Sequence, residues 1–166
     1  MRESSCVLYL GEKTPKLWDV QIGGPASVEF DFIKVWEESK KVHFTPSDLL
    51  FLHVHPRGFG VGCSTTDVDC LQGFVKAFGS TPRFGIVAYG KVDTNDMSGI
   101  YQEYYCTRNL EVKHKYYRQF GGMKVGEDLG LYKNKNQGLE PYFRMLYFLS
   151  YTPGLAILSE KEFAKE

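Results

Sequence analysis

Apolar residues along this chain fall into short runs broken by Gly, Pro and polar clusters, and the period of each run predicts an element. "SSCVLYLG", residues 4–11, reads as a first strand closed by Gly11. "KLWDVQI", residues 16–22, reads as a second, beyond the turn-like "EKTP". "GGP" breaks it. "SVEFDFIKVW" alternates Val28, Phe30 and Phe32 with Glu29 and Asp31, as a strand does, but "FDFIKVWEESKKV" fits a helix equally well. Residues 29–41 therefore stay open between the two. "TPSDLLFLHVH", residues 45–55, begins as a turn or cap and becomes a strand too continuously apolar to be exposed on either face.

A loop, "PRGFGVGC", comes next. "STTDVDCLQGFVKAFG" predicts a helix, because Val68, Leu71, Phe74, Val75 and Phe78 share one face and Gly79 follows as a C-terminal cap. "PRFGIVAYG" is another buried strand. "GIYQEYYCT" and "LEVKHKYYRQF" predict two more, joined by a short "RN" connection. "LEPYFRMLYFLSY", residues 139–151, has helical spacing but is apolar almost all round. Strands, a helix, strands and a helix in one chain predict a single mixed α/β (α+β) domain, with a central sheet and flanking helices.

Composition narrows the function classes. The chain has 166 residues, enough for one domain with a sizeable core. Twenty basic and twenty acidic residues cancel, so the overall charge gives no support to a nucleic-acid binder, whose affinity rests on neutralising phosphates. No run of apolar residues is long enough for a membrane span. "MRESSCVLYLGEK" does not read as a secretory signal. Cys6, Cys63, Cys70 and Cys106 are scattered, with no CxxC pair, which fits reduced thiols and an intracellular, cytoplasmic protein.

Chemistry concentrates around "HVHPRGFGVGCSTTD". His53 and His55 are two apart on the predicted strand, so both side chains face the same way, on a face otherwise given to the core. Buried imidazoles need partners, and a divalent metal satisfies two at once. Zinc favours His and carboxylate ligands, with three protein ligands where a water must also bind. Asp67 lies on the first turn of the next helix, twelve residues after His55, and Gly58, Gly60 and Gly62 allow a tight return. The same stretch also reads as a capping box, Ser64 to Asp67, without excluding a metal. A phosphate-cradling loop is discounted, because the P-loop Lys is missing. A zinc site from Cys63 and Cys70, or a Cys–His nucleophile, is the lesser rival. Cys70 belongs to the apolar face of the helix, where a small buried thiol is usual. A phosphoesterase opening on HxH needs more His downstream than His114 alone. His43 and His114 read as surface or locally bonded.

The pattern of His-x-His-Pro, a short loop and Ser-x-x-Asp at a helix start, after a Glu on an early strand, resembles the JAMM (MPN+) metallopeptidase family. The resemblance implies Zn2+ held by His53, His55 and Asp67, with Ser64 stabilising the oxyanion and Glu3 moving the protons of the water. It implies hydrolysis of a peptide or isopeptide bond in a protein or peptide substrate, beside a ubiquitin-like tail. Residues 29–45 and 90–100 are then the segments placed to hold such a tail along a strand edge. Residues 3–106 can be laid along the family domain, within a domain spanning 1–166. Residues 107–166 find no counterpart, and about 121–166 read as a C-terminal extension. The loop before Ser64 is one residue longer than the family pattern; counting strictly would put Cys63 and Thr66 at the motif positions. Asp69 is the reserve ligand, and Glu29 is the alternative to Glu3. MPN domains also serve as scaffolds in assemblies, so an interaction subunit is the competing function. The apolar stretch Leu139–Tyr151 would then dock a partner or a second copy, unless its own domain buries it.

Overall fold

The structure, a computed structural model, describes residues 3–11, 15–22, 37–38, 41, 48–56, 58–90, 98–120 and 139–151. Six strands form one sheet: β1 (Ser4–Tyr9), β2 (Lys16–Ile22), β3 (Leu49–Val54), β4 (Arg83–Tyr89), β5 (Gly99–Cys106) and β6 (Val112–Phe120). Helix α1 (Thr65–Phe78) joins β3 to β4, and α2 (Glu140–Tyr151) follows β6. The strand order is β2-β1-β3-β4-β5-β6. Only the β3–β4 pair is parallel among these neighbours, and a parallel pair needs a crossover, which α1 supplies.

Alternation of side chains divides the core between the two faces of the sheet. On one face Val7, Leu49, Phe51, Phe84, Ile86 and Tyr104 pack with Leu71 and Phe74 of α1. On the other, Leu8, Leu50, Leu52, Val54, Val87 and Tyr101 pack with Phe143, Met145, Leu146 and Leu149 of α2. Every residue of β3 is buried, which is why its sequence shows no alternation. The apolar segment 139–151 has its described apolar side chains in this core, so they are turned toward the chain's own sheet.

Interior β1 is held from both sides. It pairs with β2 and β3, and Ser4 Oγ donates to the Leu146 carbonyl of α2 at 2.7 Å, with Ser150 Oγ also at 2.7 Å. Gly85 is small for a reason: a Cβ there would meet the Tyr101 ring at 2.4 Å.

Two sequence expectations change at the ends of elements. The β5–β6 connection spans residues 107–111 rather than "RN" alone. Leu110 turns left-handed (φ 65°) instead of extending β6, and Thr107 accepts the Leu110 and Glu111 backbone N–H groups. β3 ends at Val54, yet the His55 N–H still donates to the Val87 carbonyl at 2.8 Å, so His55 keeps the direction of the strand. The open stretch 29–41 lies outside the described residues, apart from helical positions 37, 38 and 41.

A partly buried ion pair lies on the α2 face of β4 and β5. Arg83 Nε donates to Glu103 Oε1 at 2.9 Å, its Nη2 donates to Oε2, and the Tyr101 hydroxyl donates to Oε2 at 2.8 Å. Burial alone would lower the Arg83 pKa, but the hydrogen bonds and charge of Glu103 more than offset it and leave it raised. Burial, then the Glu103 charge, pushes the Tyr101 hydroxyl well above its usual range.

Candidate metal centre

The α1 face of β3 ends in two imidazoles. Their ring centroids are 4.9 Å apart. Asp67 reaches them from α1, with Oδ1 3.0 Å from His53 Nε2 and Oδ2 3.1 Å from His55 Nε2. All three residues are buried, and one ligand atom from each lies within 4.8 Å of the others. Two ligands about 2.0–2.1 Å from one tetrahedral ion stand roughly 3.4 Å apart; the two His–Asp distances are close to that, and the wider spread of the set calls for small side-chain shifts to close on one ion.

Local folding puts Asp67 there. Ser64 caps α1 in an extended conformation. The Asp67 N–H donates to Ser64 Oγ at 3.1 Å, and the Ser64 N–H donates back to Asp67 Oδ2 at 2.9 Å. The capping box and the carboxylate that faces the imidazoles are therefore one arrangement. It fixes Asp67 while leaving Oδ1 turned to His53. Ser64 itself is exposed, and its hydroxyl proton is not used by the cap.

The glycine-rich loop does a second task. Gly58 and Gly60 both have left-handed φ, 84° and 69°, a conformation that favours glycine. This path aims the Gly60 carbonyl at the His55 ring, whose Nδ1 lies 3.0 Å from it. A carbonyl only accepts, so the Nδ1 proton donates to it and Nε2 is the nitrogen turned toward Asp67. Burial by itself would lower the His55 pKa, but the hydrogen bond and charge of Asp67 outweigh it and raise the net value. Burial would raise the Asp67 pKa, yet the hydrogen bonds from His53 and His55 hold it far below the carboxylate range.

Glu3 joins the cluster from β1. It is buried and lines a cavity of about 20 Å3 together with His53, Ser64, Thr66, Asp67 and Cys70. That is roughly the space that one water or ion needs. Burial raises the Glu3 pKa, and the charges of the two imidazoles partly oppose the shift. The five residues that the sequence singled out, Glu3, His53, His55, Ser64 and Asp67, thus converge on one end of the sheet.

The rival residues fall elsewhere or read differently. Asp69 is exposed. Cys70 borders the cavity and Cys63 is half-buried, but burial, with the Asp67 charge, pushes both thiols up to about 12, the wrong direction for a thiolate ligand or nucleophile. His114 is locally bonded, 3.4 Å from Gln102 Oε1 and stacked near Tyr104. Glu29 and His43 lie outside the described residues, as do most of 29–45 and positions 91–97.

One partner of the cluster escaped the sequence reading. The Gly60 carbonyl has no side chain to notice, although a glycine-rich loop always permits close backbone approach. No family model matches the chain, and no curated protein matches it either.

Proposed function

We propose that this chain is a JAMM-type zinc metallopeptidase that hydrolyses a peptide or isopeptide bond. The observation that carries the reading is the gathering of the His53, His55 and Asp67 donor atoms within 4.8 Å at a cavity that Glu3 also lines. Bound zinc would supply a water of pKa near 7 and polarise the scissile carbonyl. The protein residues then divide the remaining work. Glu3 is a buried carboxyl with a raised pKa, suited to accept a proton from water and return it to the leaving amine. Ser64 keeps a hydroxyl proton to donate to a developing oxyanion, a contact that typically contributes about 3 kcal/mol. Gly60 fixes the His55 tautomer. Nothing in this set requires a ubiquitin-like substrate, which rests on the resemblance alone.

The decisive experiment is metal analysis with thermal melting. The purified protein should carry one equivalent of zinc. For the stripped protein, free zinc at 100 times its Kd should add about 2.7 kcal/mol, which for a chain of this size is roughly 5–10 °C in Tm. Asp67→Ala should abolish both the zinc response and cleavage of a ubiquitin C-terminal fluorogenic amide. A wild-type protein that holds no zinc and shows no shift would sink the enzyme reading and favour the scaffold.

A further inference from the structure

Two adjacent serines of β1 have opposite fates. Ser4 points to the α2 face, where its hydroxyl has both Leu146 and Ser150 as partners. Ser5 points to the α1 face. It is completely buried, and its Oγ has no hydrogen-bond partner among the described residues. Buried hydroxyls are almost always paired, because an orphan forfeits its water without compensation. An alanine would fill the same place with no such penalty.

The ladder shows what lies beside this hydroxyl. Ser5 pairs directly with His53 across β1 and β3. Directly opposed residues on one face have Cβ atoms about 4.5–5.5 Å apart, within reach of a hydroxyl that can turn between its staggered positions. Glu3, two residues back and just ahead of the strand, lines the same cavity as His53. Phe84, on the far side of His53, offers only a ring, with centroids 5.3 Å apart. The side chains of β1 and β3 that follow Ser5 on this face are the apolar Val7 and Phe51.

Metal-ligating imidazoles characteristically give the proton of their second ring nitrogen to a fixed acceptor. His55 has the Gly60 carbonyl for this purpose. His53 turns Nε2 toward Asp67, so its Nδ1 is the nitrogen left for such an acceptor. We propose that Ser5 is a positioning residue for His53: its Oγ accepts the Nδ1 proton when His53 ligates a metal through Nε2. The role rests on the metal-centre reading above. It makes the pair of imidazoles unequal in support, one held by backbone and one by a rotatable hydroxyl.

The test compares Ser5→Ala with wild type by zinc titration of the stripped proteins, together with their metal-free melting. Removing an orphan hydroxyl should leave metal-free Tm unchanged or higher, while zinc affinity falls about 10–100-fold. That opposed pair of changes is not what a merely structural serine would give. A long-range nitrogen–proton NMR spectrum of the zinc-loaded wild type should show a slowly exchanging His53 Nδ1 proton, lost or shifted in Ser5→Ala. Wild-type zinc affinity in Ser5→Ala overturns the assignment, as does a lower metal-free Tm that accounts for the weaker binding. A change confined to the pH profile of turnover would also overturn it, by placing the hydroxyl on Glu3. If wild type binds no zinc, the metal-centre reading itself has failed, and that result is distinct from the others.

Discussion

Among the described residues, two clusters of ionisable groups lie against the sheet, and they are built in opposite ways. At Arg83–Glu103–Tyr101 a guanidinium forks onto one carboxylate, and a tyrosine donates to it as well. Donors and acceptors match, one charge cancels the other, and burial leaves nothing for a ligand to do. At the opposite face, and three residues further along the β3–β4 ladder, His53 and the carboxyls of Glu3 and Asp67 line a small cavity, with His55 beside them on Asp67. There one carboxylate, Asp67, is shared between both rings, Glu3 is desolvated with a raised pKa, and Ser5 has an orphan hydroxyl among the described residues. A closed ion pair is a structural device. An open cluster of similar residue types, with a buried group left unanswered, is what a binding site would look like, and that separates a candidate site from a brace.

The largest effect that separates them is catalytic. Glu3→Gln should keep full zinc stoichiometry and lower turnover about 10²–10⁴-fold. Normal turnover in that variant would move the proton-transfer role away from β1, with Glu29 as the next residue to substitute. The brace should answer in the other currency. Glu103→Ala leaves the half-buried Arg83 without its carboxylate, which should cost about 1–3 kcal/mol, or roughly 2–12 °C in Tm for a chain of this size. Its zinc affinity, measured below the new Tm, should match wild type; a large loss would mean that the two clusters are coupled through β4.

Acid and base sharpen the contrast at smaller scale. The His55 pKa is raised in the metal-free fold, so its proton contributes stability that is complete below about pH 6.5 and is lost as pH rises through the folded value. Zinc must displace that proton. Metal-free protein should therefore melt lower at pH 8 than at pH 6, while the Tm gain on adding zinc grows over the same interval. A zinc-induced gain independent of pH would indicate that His55 is not a ligand.

Much of the arrangement was legible in the sequence because its signals are local. A period of two placed His53 beside His55, and Ser64 with Asp67 marked the start of a helix. The order of strands and helices followed from runs and breakers. What the sequence concealed depends on contacts between distant segments. Nothing in "LEPYFRMLYFLSY" says which surface an all-round apolar helix will cover, and α2 covers the face opposite the histidines. Leu110 gives no sign of its left-handed turn, which is imposed by the tie to Thr107. The extra loop residue looked like an irregularity; two left-handed glycines carry the chain around so that one carbonyl meets His55.

Glu3, Ser4 and Ser5 are consecutive, yet they serve the cavity, the far helix and the orphan position opposite His53 in turn. The strand that presents the carboxylate is thus fastened by Leu146 and Ser150, near the other end of the chain. In the order of synthesis, the histidines and Asp67 emerge long before those anchors. A ribosome-bound chain can hold His53, His55 and Asp67 while the strand next to Glu3 still lacks its fastening, so under the proposed function metal binding would precede cutting.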